Sequence, residues 1–323
     1  MYSRIAGTGS YLPRGVLTNF DLEKRMDTSD AWIRERTGIE RRHIVAPGET
    51  TVDMAEKAAR AAIEAAGLQP ADIDLIALGT VTPDLIFPNS AVLLQARLGC
   101  RRGCPAFSME AACSGFIYAM SVADKFIRAG EARHALVIGA ESLSRITDPA
   151  DRGTAILFGD GAGAVVLSAS PDPGILSTHV HADGDYRGML YCTGGTGGGT
   201  APGTLAPGDF IRMAGSEIFK LAVNRLGQVV DEALAANGIA QSELDWLVPH
   251  QANIRIIQAT ARKLDLPMER VIVTIADHGN TSSASVPLAL DTGVRDGRIK
   301  RGELLLLEAF GGGITWGAAL VRY

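Results

Sequence analysis

The sequence predicts an α/β protein in which one unit is used twice. Two observations carry this: helical and strand-like segments alternate along all 323 residues, and the two halves match at a single offset. In the first half, Asp53–Ala66 has apolar residues at helical spacing and closes on Gly67, and Ile73–Gly79 is a buried strand. Ser90–Leu98 reads as a helix, Ala106–Met109 as a strand, and Gly115–Ala129 as a long apolar helix. Strands at Ala135–Gly139 and Ala162–Ser168 follow. In the second half, Ser216–Ala236 is a helix closed by Asn237-Gly238, Trp246–Pro249 a short strand, Ile254–Leu264 a helix and Val271–Ile275 a strand. A helix at Ser282–Val294 and strands at Leu304–Leu307 and Ala318–Val321 complete the pattern.

The offset is 171 residues from Gly67 to Gly238 and from Asp74 to Asp245. Glu64-Ala65-Ala66-Gly67-Leu68 answers Ala235-Ala236-Asn237-Gly238-Ile239, and Ala71-Asp72-Ile73-Asp74-Leu75 answers Ser242-Glu243-Leu244-Asp245-Trp246. The expected division is therefore residues 1–171 and 172–323, with Cys113 of the first set against the Gly279–Ser285 loop of the second.

Composition narrows the function classes. Hydrophobic residues make up 46% and charged residues 21%, as in an ordinary folded globule. A net charge of −5 argues against a nucleic-acid binder working through bulk charge. Met1–Gly7 lacks the apolar run of a signal peptide, and no stretch of about 18 apolar residues exists to span a membrane. Four cysteines are too few for a disulfide scaffold, so a cytoplasmic protein is expected. Cys100 and Cys104 bracket Arg101-Arg102-Gly103 with no second ligand pair, so no metal site is expected.

Cys113 lies in Glu110-Ala111-Ala112-Cys113-Ser114-Gly115-Phe116, at a strand-to-helix turn. The free N–H groups and positive dipole end of a helix favour a thiolate there, and the small neighbours admit a thioester. Taken locally, a lone cysteine in an apolar segment is more often a small buried hydrophobe. His250, in Pro249-His250-Gln251-Ala252-Asn253, follows a buried strand, where open α/β sheets bind ligands; it also reads as an ordinary loop histidine. Asn280, in His278-Gly279-Asn280-Thr281-Ser282, reads both as a helix cap and as a site residue. Phe310-Gly311-Gly312-Gly313-Ile314-Thr315-Trp316-Gly317 joins two strands, and its glycines suit a main-chain N–H offered to a carbonyl oxygen. Gly194–Gly199 lacks the Lys-Ser/Thr of a phosphate loop and is expected to be a mobile surface loop. Gly7-Thr8-Gly9 is too short for a dinucleotide fingerprint.

The Cys113, His250, Asn280 and Phe310–Gly317 motifs, in this order along the chain, resemble the β-ketoacyl-[acyl-carrier-protein] synthase III family, which initiates type II fatty-acid synthesis. The resemblance implies a thiolase fold, a duplicated αβαβα sandwich of five layers, and a cytoplasmic homodimer without cofactor. It implies that Cys113 takes an acyl group from acyl-CoA and that the Cys113 and Gly312 N–H groups form an oxyanion hole. His250 and Asn280 would hold the malonyl thioester on its carrier protein during loss of CO2. Trp32, Arg36, Thr28 and Arg152 match the family's CoA contacts, and Phe87 and Phe310 its acyl pocket. Phe87 would reach the partner's pocket and favour a short primer. Lys220, Arg255, Arg262 and Lys263 form a candidate basic patch for the acidic carrier protein. The alternatives are a starter-unit synthase of a polyketide pathway and a thioester hydrolase.

Overall fold

The computed structural model describes residues 1–193 and 210–323. Strand β1 (Tyr2–Tyr11) leads to the pair β2 (Gly15–Thr18) and β3 (Arg41–Ile44), separated by α1 (Asn19–Glu23) and α2 (Asp30–Thr37). Next come α3 (Thr51–Ala65), β4 (Leu75–Gly79), α4 (Ser90–Leu98), β5 (Ala106–Met109) and α5 (Gly115–Arg128). They are followed by β6 (His134–Ser142), α6 (Arg152–Ala155), β7 (Asp160–Ser170) and β8 (Ile175–Ala182). The short strands β9 (Leu190–Tyr191) and β10 (Arg212–Met213) precede α7 (Gly215–Asn237), β11 (Trp246–Pro249), α8 (Ile254–Lys263) and α9 (Ile275–His278). Helix α10 (Ser285–Arg295) and strands β12 (Leu304–Gly311) and β13 (Thr315–Arg322) close the chain.

Two sheets carry the fold, in the orders β1-β7-β6-β4-β5 and β8-β13-β12-β11. Their pairings correspond: β4 runs parallel to β6 as β11 does to β12, and β6/β7/β1 is antiparallel like β12/β13/β8. The repeat in the sequence is thus a repeat of topology. Helices α5 and α10 lie between the sheets, where Phe116, Ile117, Val286 and Leu290 meet Leu75 and Val137 on one side and Leu305 and Leu307 on the other. Each such buried apolar side chain contributes about 1.5–3 kcal/mol. The outer layers are α3 with α4 on the first sheet, and α7 with α8 on the second. Five layers result.

Local chemistry sets the element ends. Thr50 and Asp53 form a reciprocal capping box, so α3 begins at Thr51, ahead of the expected Asp53. The glycines of Gly7-Thr8-Gly9 serve packing: a Cβ at either would strike the backbone of α3, whose Ala58 and Ala62 face β1. The strand expected at Val271–Ile275 does not form. Val271 makes one parallel bridge to Leu247, and α9 starts at Ile275. The buried Gln251 side chain takes the missing main-chain bonds, donating to the carbonyls of Pro249 (2.8 Å) and Ile272 (3.0 Å) and accepting from the N–H groups of Thr274 (2.9 Å) and Ile275 (3.1 Å).

Glu308 of β12 is buried, and neither of its carboxyl oxygens makes a hydrogen bond among the described residues; Thr260 faces it without closing one. Burial pushes its carboxyl up to about 8 from an ordinary 4.5. The folded state then binds a proton that the unfolded state has released, so stability falls as pH rises across that window. Urea unfolding of Glu308→Gln at about pH 5.5 and about pH 8 is expected to lose less stability over that interval than the unmodified chain. An equal loss refutes the assignment.

Candidate active site

Cys113 sits in a single 3-10 turn, Ala112–Ser114, just ahead of α5, and the second unit places the turn Ser282–Ala284 just ahead of α10. Each turn opens on a non-glycine residue in the left-handed region, Ala112 at φ 43° and Ser282 at φ 50°. Such backbone is strained by about 1–3 kcal/mol per residue and is held by its surroundings. Ser114 Oγ donates to the Thr315 carbonyl (3.0 Å) and Ser283 Oγ to the Gly79 carbonyl (2.9 Å). A Cβ on Gly79 would lie 2.5 Å from the Gly115 carbonyl carbon, so β4 and α5 meet backbone to backbone. Gly311 does the same from β12: its Cβ would lie 2.6 Å from the Cys113 nitrogen. Gly312 follows immediately, and neither its N–H nor that of Cys113 donates to another main-chain group among the described residues.

The thiol itself departs from the expectation of a resting thiolate. Burial pushes Cys113 up to about 12; the Ser282 hydroxyl opposes that rise and the Glu141 charge adds to it. The thiol lies in its own turn ahead of α5, and the helix start does not outweigh its loss of water.

His250 follows β11, its N–H donating to the Glu308 carbonyl (2.8 Å). Its Nδ1 lies 2.5 Å from Ser285 Oγ, which also accepts from the Gln251 N–H (3.4 Å). With the Ser285 hydroxyl donating to Nδ1, the ring proton sits on Nε2. Burial pushes the imidazole down to about 3, so the ring is neutral. Asn280 Oδ1 accepts from the Ser282 N–H (2.9 Å), freeing Nδ2 as a donor. Cys113, His250 and Asn280 line one narrow chamber of about 170 Å³. Cys113 also opens onto a wider chamber of about 580 Å³ lined by Leu143, Phe158, Ile211 and Gly312.

The other expected residues divide. Trp32 is flanked by both expected arginines, Arg36 at 5.3 Å and Arg152 at 4.9 Å from its ring centre, although Arg152 is 120 positions away. Thr28 has a buried hydroxyl without a partner among the described residues. Phe310 lines the narrow chamber with His250 and Asn280 rather than the wide one, because its side chain follows the face of β12 turned toward α7 and α8. Phe87 is 83% exposed and lines neither chamber of its own chain. The basic residues are spread over two packed helices, Lys220 on α7 and Arg255, Arg262 and Lys263 on α8. Arg255, over the Phe219 ring at 5.9 Å, is near the narrow chamber, whereas Lys263, at the far end of α8, pairs with Asp231 (2.7 Å). Lys220 and Arg262 are exposed. The Gly194–Gly199 run lies outside the described residues.

Glu141, Ser282 and Ser285 were missed in the sequence. Glu141 left one signal, a lone acid at the carboxyl end of an apolar strand; the serines left none, being ordinary cap residues. Among the described residues no group of three His, Cys, Asp or Glu could hold a metal, and no helix is long and apolar enough to cross a membrane.

A duplicated αβαβα sandwich, with two corresponding sheets around a central helix pair, is the architecture of the thiolase-fold enzymes. Comparison with known proteins narrows the class. Residues 107–184 match the family model "3-Oxoacyl-[acyl-carrier-protein (ACP)] synthase III", and residues 234–323 match its C-terminal counterpart. The chain is 63% identical to the β-ketoacyl-[acyl-carrier-protein] synthase III of Xanthomonas campestris, covering 100% of this chain and 99% of that one. The crystal structure of the Aquifex aeolicus 3-oxoacyl-[acyl-carrier-protein] synthase III superposes with a TM-score of 0.92 at 49% identity, over 99% of this chain and 100% of that one. The priming β-ketosynthase of the R1128 polyketide pathway gives a TM-score of 0.92 at 37% identity, over 99% and 96% of the two chains. The chain belongs to the β-ketoacyl-[acyl-carrier-protein] synthase III family.

Proposed function

We propose that this enzyme moves an acyl group from acyl-CoA onto Cys113 and condenses it with malonyl-acyl carrier protein, releasing CO2 and a β-ketoacyl-carrier protein. The observation that carries this reading is the single narrow chamber in which Cys113, His250 and Asn280 converge from three separate turns. The Cys113 sulfur attacks the thioester carbonyl, and the N–H groups of Cys113 and Gly312 receive the oxyanion. His250 Nε2–H and Asn280 Nδ2–H donate to the malonyl thioester carbonyl, so charge from the departing CO2 settles on an enolate oxygen held by two donors. A neutral His250 suits this role, since it donates without leaving a buried positive charge. The polyketide-priming enzyme is the more distant relative, which favours fatty-acid initiation.

The wide chamber is assigned to the acyl chain, and the narrow one, with Phe310, to the pantetheine arm. Trp32 with Arg36 and Arg152 takes the adenine, Thr28 supports the nucleotide, and Lys220 and Arg255 meet the carrier protein, with Arg262 and Lys263 farther along α8. Leu85, Ile86 and Phe87 form an exposed apolar tip that suits a homodimer, with Phe87 reaching the partner's wide chamber. The cytoplasmic setting and a reaction without cofactor complete the reading. The division at 171/172 fits sheets whose strands end at Ser170 and resume at Ile175.

Intact-mass measurement after exposure to acyl-CoA, followed by a chase with malonyl carrier protein, tests the reaction. An adduct on Cys113 that malonyl carrier discharges as a β-ketoacyl product is expected; discharge by water alone identifies a hydrolase instead. For the nucleotide contacts, Trp32→Ala is expected to raise KM for acyl-CoA about tenfold at nearly constant kcat, as befits uniform binding. A fall in kcat at unchanged KM contradicts that placement.

A further inference from the structure

Arg42 of β3 is fully buried and pairs with no carboxylate among the described residues. Burial pulls its guanidinium down to about 10, which leaves it charged near neutral pH. A charge deprived of water is costly unless its N–H groups find acceptors. Here they find three, on opposite sides. Nη1 donates to the Leu17 carbonyl (3.2 Å) and to Asn19 Oδ1 (2.9 Å), and Nη2 donates to the Ile156 carbonyl (2.5 Å). Nε has no partner among the described residues, so the fork at the tip makes every bond of this side chain. The stem is confined as well. A Cβ on Gly159 or on Gly279 would lie 3.0 Å from the Arg42 Cβ, so the stem passes between the glycine that follows Phe158 and the glycine that precedes Asn280.

Asn280 sits in the turn after α9, and its main chain is bonded on both sides to one short ribbon. Its N–H donates to the Leu157 carbonyl (2.9 Å), and its carbonyl accepts from the Gly159 N–H (2.9 Å). Phe158, between them, forms a parallel bridge with Asn280. This ribbon begins one residue after the Ile156 carbonyl that Arg42 holds. On the other side of the fork, Asn19 Nδ2 donates to Asp30 Oδ1 (2.9 Å) and to the Ile39 carbonyl (2.7 Å), which bracket α2. The guanidinium therefore stands between the segment that carries Trp32 and Arg36 and the ribbon that seats Asn280.

We propose that Arg42 is a positioning residue for Asn280: its fork fixes the Leu157–Gly159 ribbon against the α1–α2 pair and so sets where Asn280 Nδ2 lies in the narrow chamber. This rests on the donor role given to Asn280 above. The arrangement needs arginine, because a single ammonium cannot span acceptors on two sides as a planar fork does. It also singles out one half of the reaction. Among the described residues no hydrogen bond joins Arg42 or its three acceptors to Cys113 or Gly312, so the acylation apparatus does not depend on the fork.

The two half-reactions of the full chain, measured separately, test this. Arg42→Lys is expected to lower kcat for decarboxylation of malonyl carrier protein about 10- to 100-fold at nearly unchanged KM, since alignment is lost and binding is not. Cys113 is expected to be acylated, at saturating acyl-CoA, within about threefold of the unmodified rate. In an Asn280→Ala background Arg42→Lys should add no further loss, because the residue it positions is already gone. Should Arg42→Lys not fold, Gly159→Ala decides: its Cβ would press on the Arg42 Cβ at 3.0 Å and on the His278 carbonyl oxygen at 2.7 Å, displacing the same ribbon, and the same split is expected. Unchanged decarboxylation in the folded variant, a rise in KM at constant kcat, an equal fall in both half-reactions, or a full additional loss on top of Asn280→Ala overturns the proposal. Unchanged decarboxylation in Asn280→Ala alone overturns instead the donor role on which it rests.

Discussion

His250→Ala and Asn280→Ala are each expected to slow malonyl decarboxylation by about 100- to 1,000-fold while Cys113 still accumulates an acyl adduct. That is the usual cost of removing one preorganised donor to a developing oxyanion, about 2.7–4 kcal/mol. The two steps separate because the donors and the acylation apparatus sit on different elements. His250 comes from the end of β11 and Asn280 from the turn after α9, whereas Cys113 and Gly312 come from the turn before α5 and the β12–β13 connection. Asn280→Ala also frees the Ser282 N–H that Oδ1 now accepts (2.9 Å), and His250→Ala frees the Ser285 hydroxyl (2.5 Å), so both variants should lose some stability. Decarboxylation measured with radiolabelled malonyl carrier, beside intact-mass acylation, checks both. Unchanged decarboxylation in both variants removes them from the site.

The second large effect is expected at Gly311. Alanine there would place its Cβ 2.6 Å from the Cys113 nitrogen and 3.2 Å from the Cys113 Cα. Those are backbone atoms of a strained turn and cannot swing aside as a flexible side chain would, so either β12 or the turn must shift. A shift displaces the Cys113 and Gly312 N–H groups together. Acylation of Gly311→Ala should fall by about 100-fold or more, because catalytic alignment tolerates little displacement. Gly188→Ala is the control, since a Cβ there meets nothing within 4 Å. Equal acylation rates in the two variants contradict the role given to this approach.

The legible parts of the fold were those with local causes. Ser90–Leu98, Ala106–Met109 and Trp246–Pro249 form as their periodicity predicts, because burial pattern and end signals there agree. Strand β1 was missed because Gly7 and Gly9 dilute its alternation, and they are present for contact with a helix some fifty residues away. Val271–Ile275 misled for the opposite reason. Its apolar residues suit a strand, but a side-chain amide from Gln251 takes the bonds a neighbour strand would make. The pairing of Trp32 with Arg152, and the placement of Phe310 in the narrow chamber, likewise depend on partners distant in sequence.

By itself the sequence determined the alternating α/β pattern, its duplication at one offset, and the residue types at Cys113, His250 and Asn280. These follow from periodicity, spacing and side-chain chemistry, which are properties of segments. The tertiary structure decided the burial of the thiol and of the His250 ring, the division of the space around Cys113 into two chambers and the ring of donors around the buried Glu141. Each of these depends on which groups are deprived of water and which donors then face them. That is a property of the packed layers, and no single stretch of chain contains it.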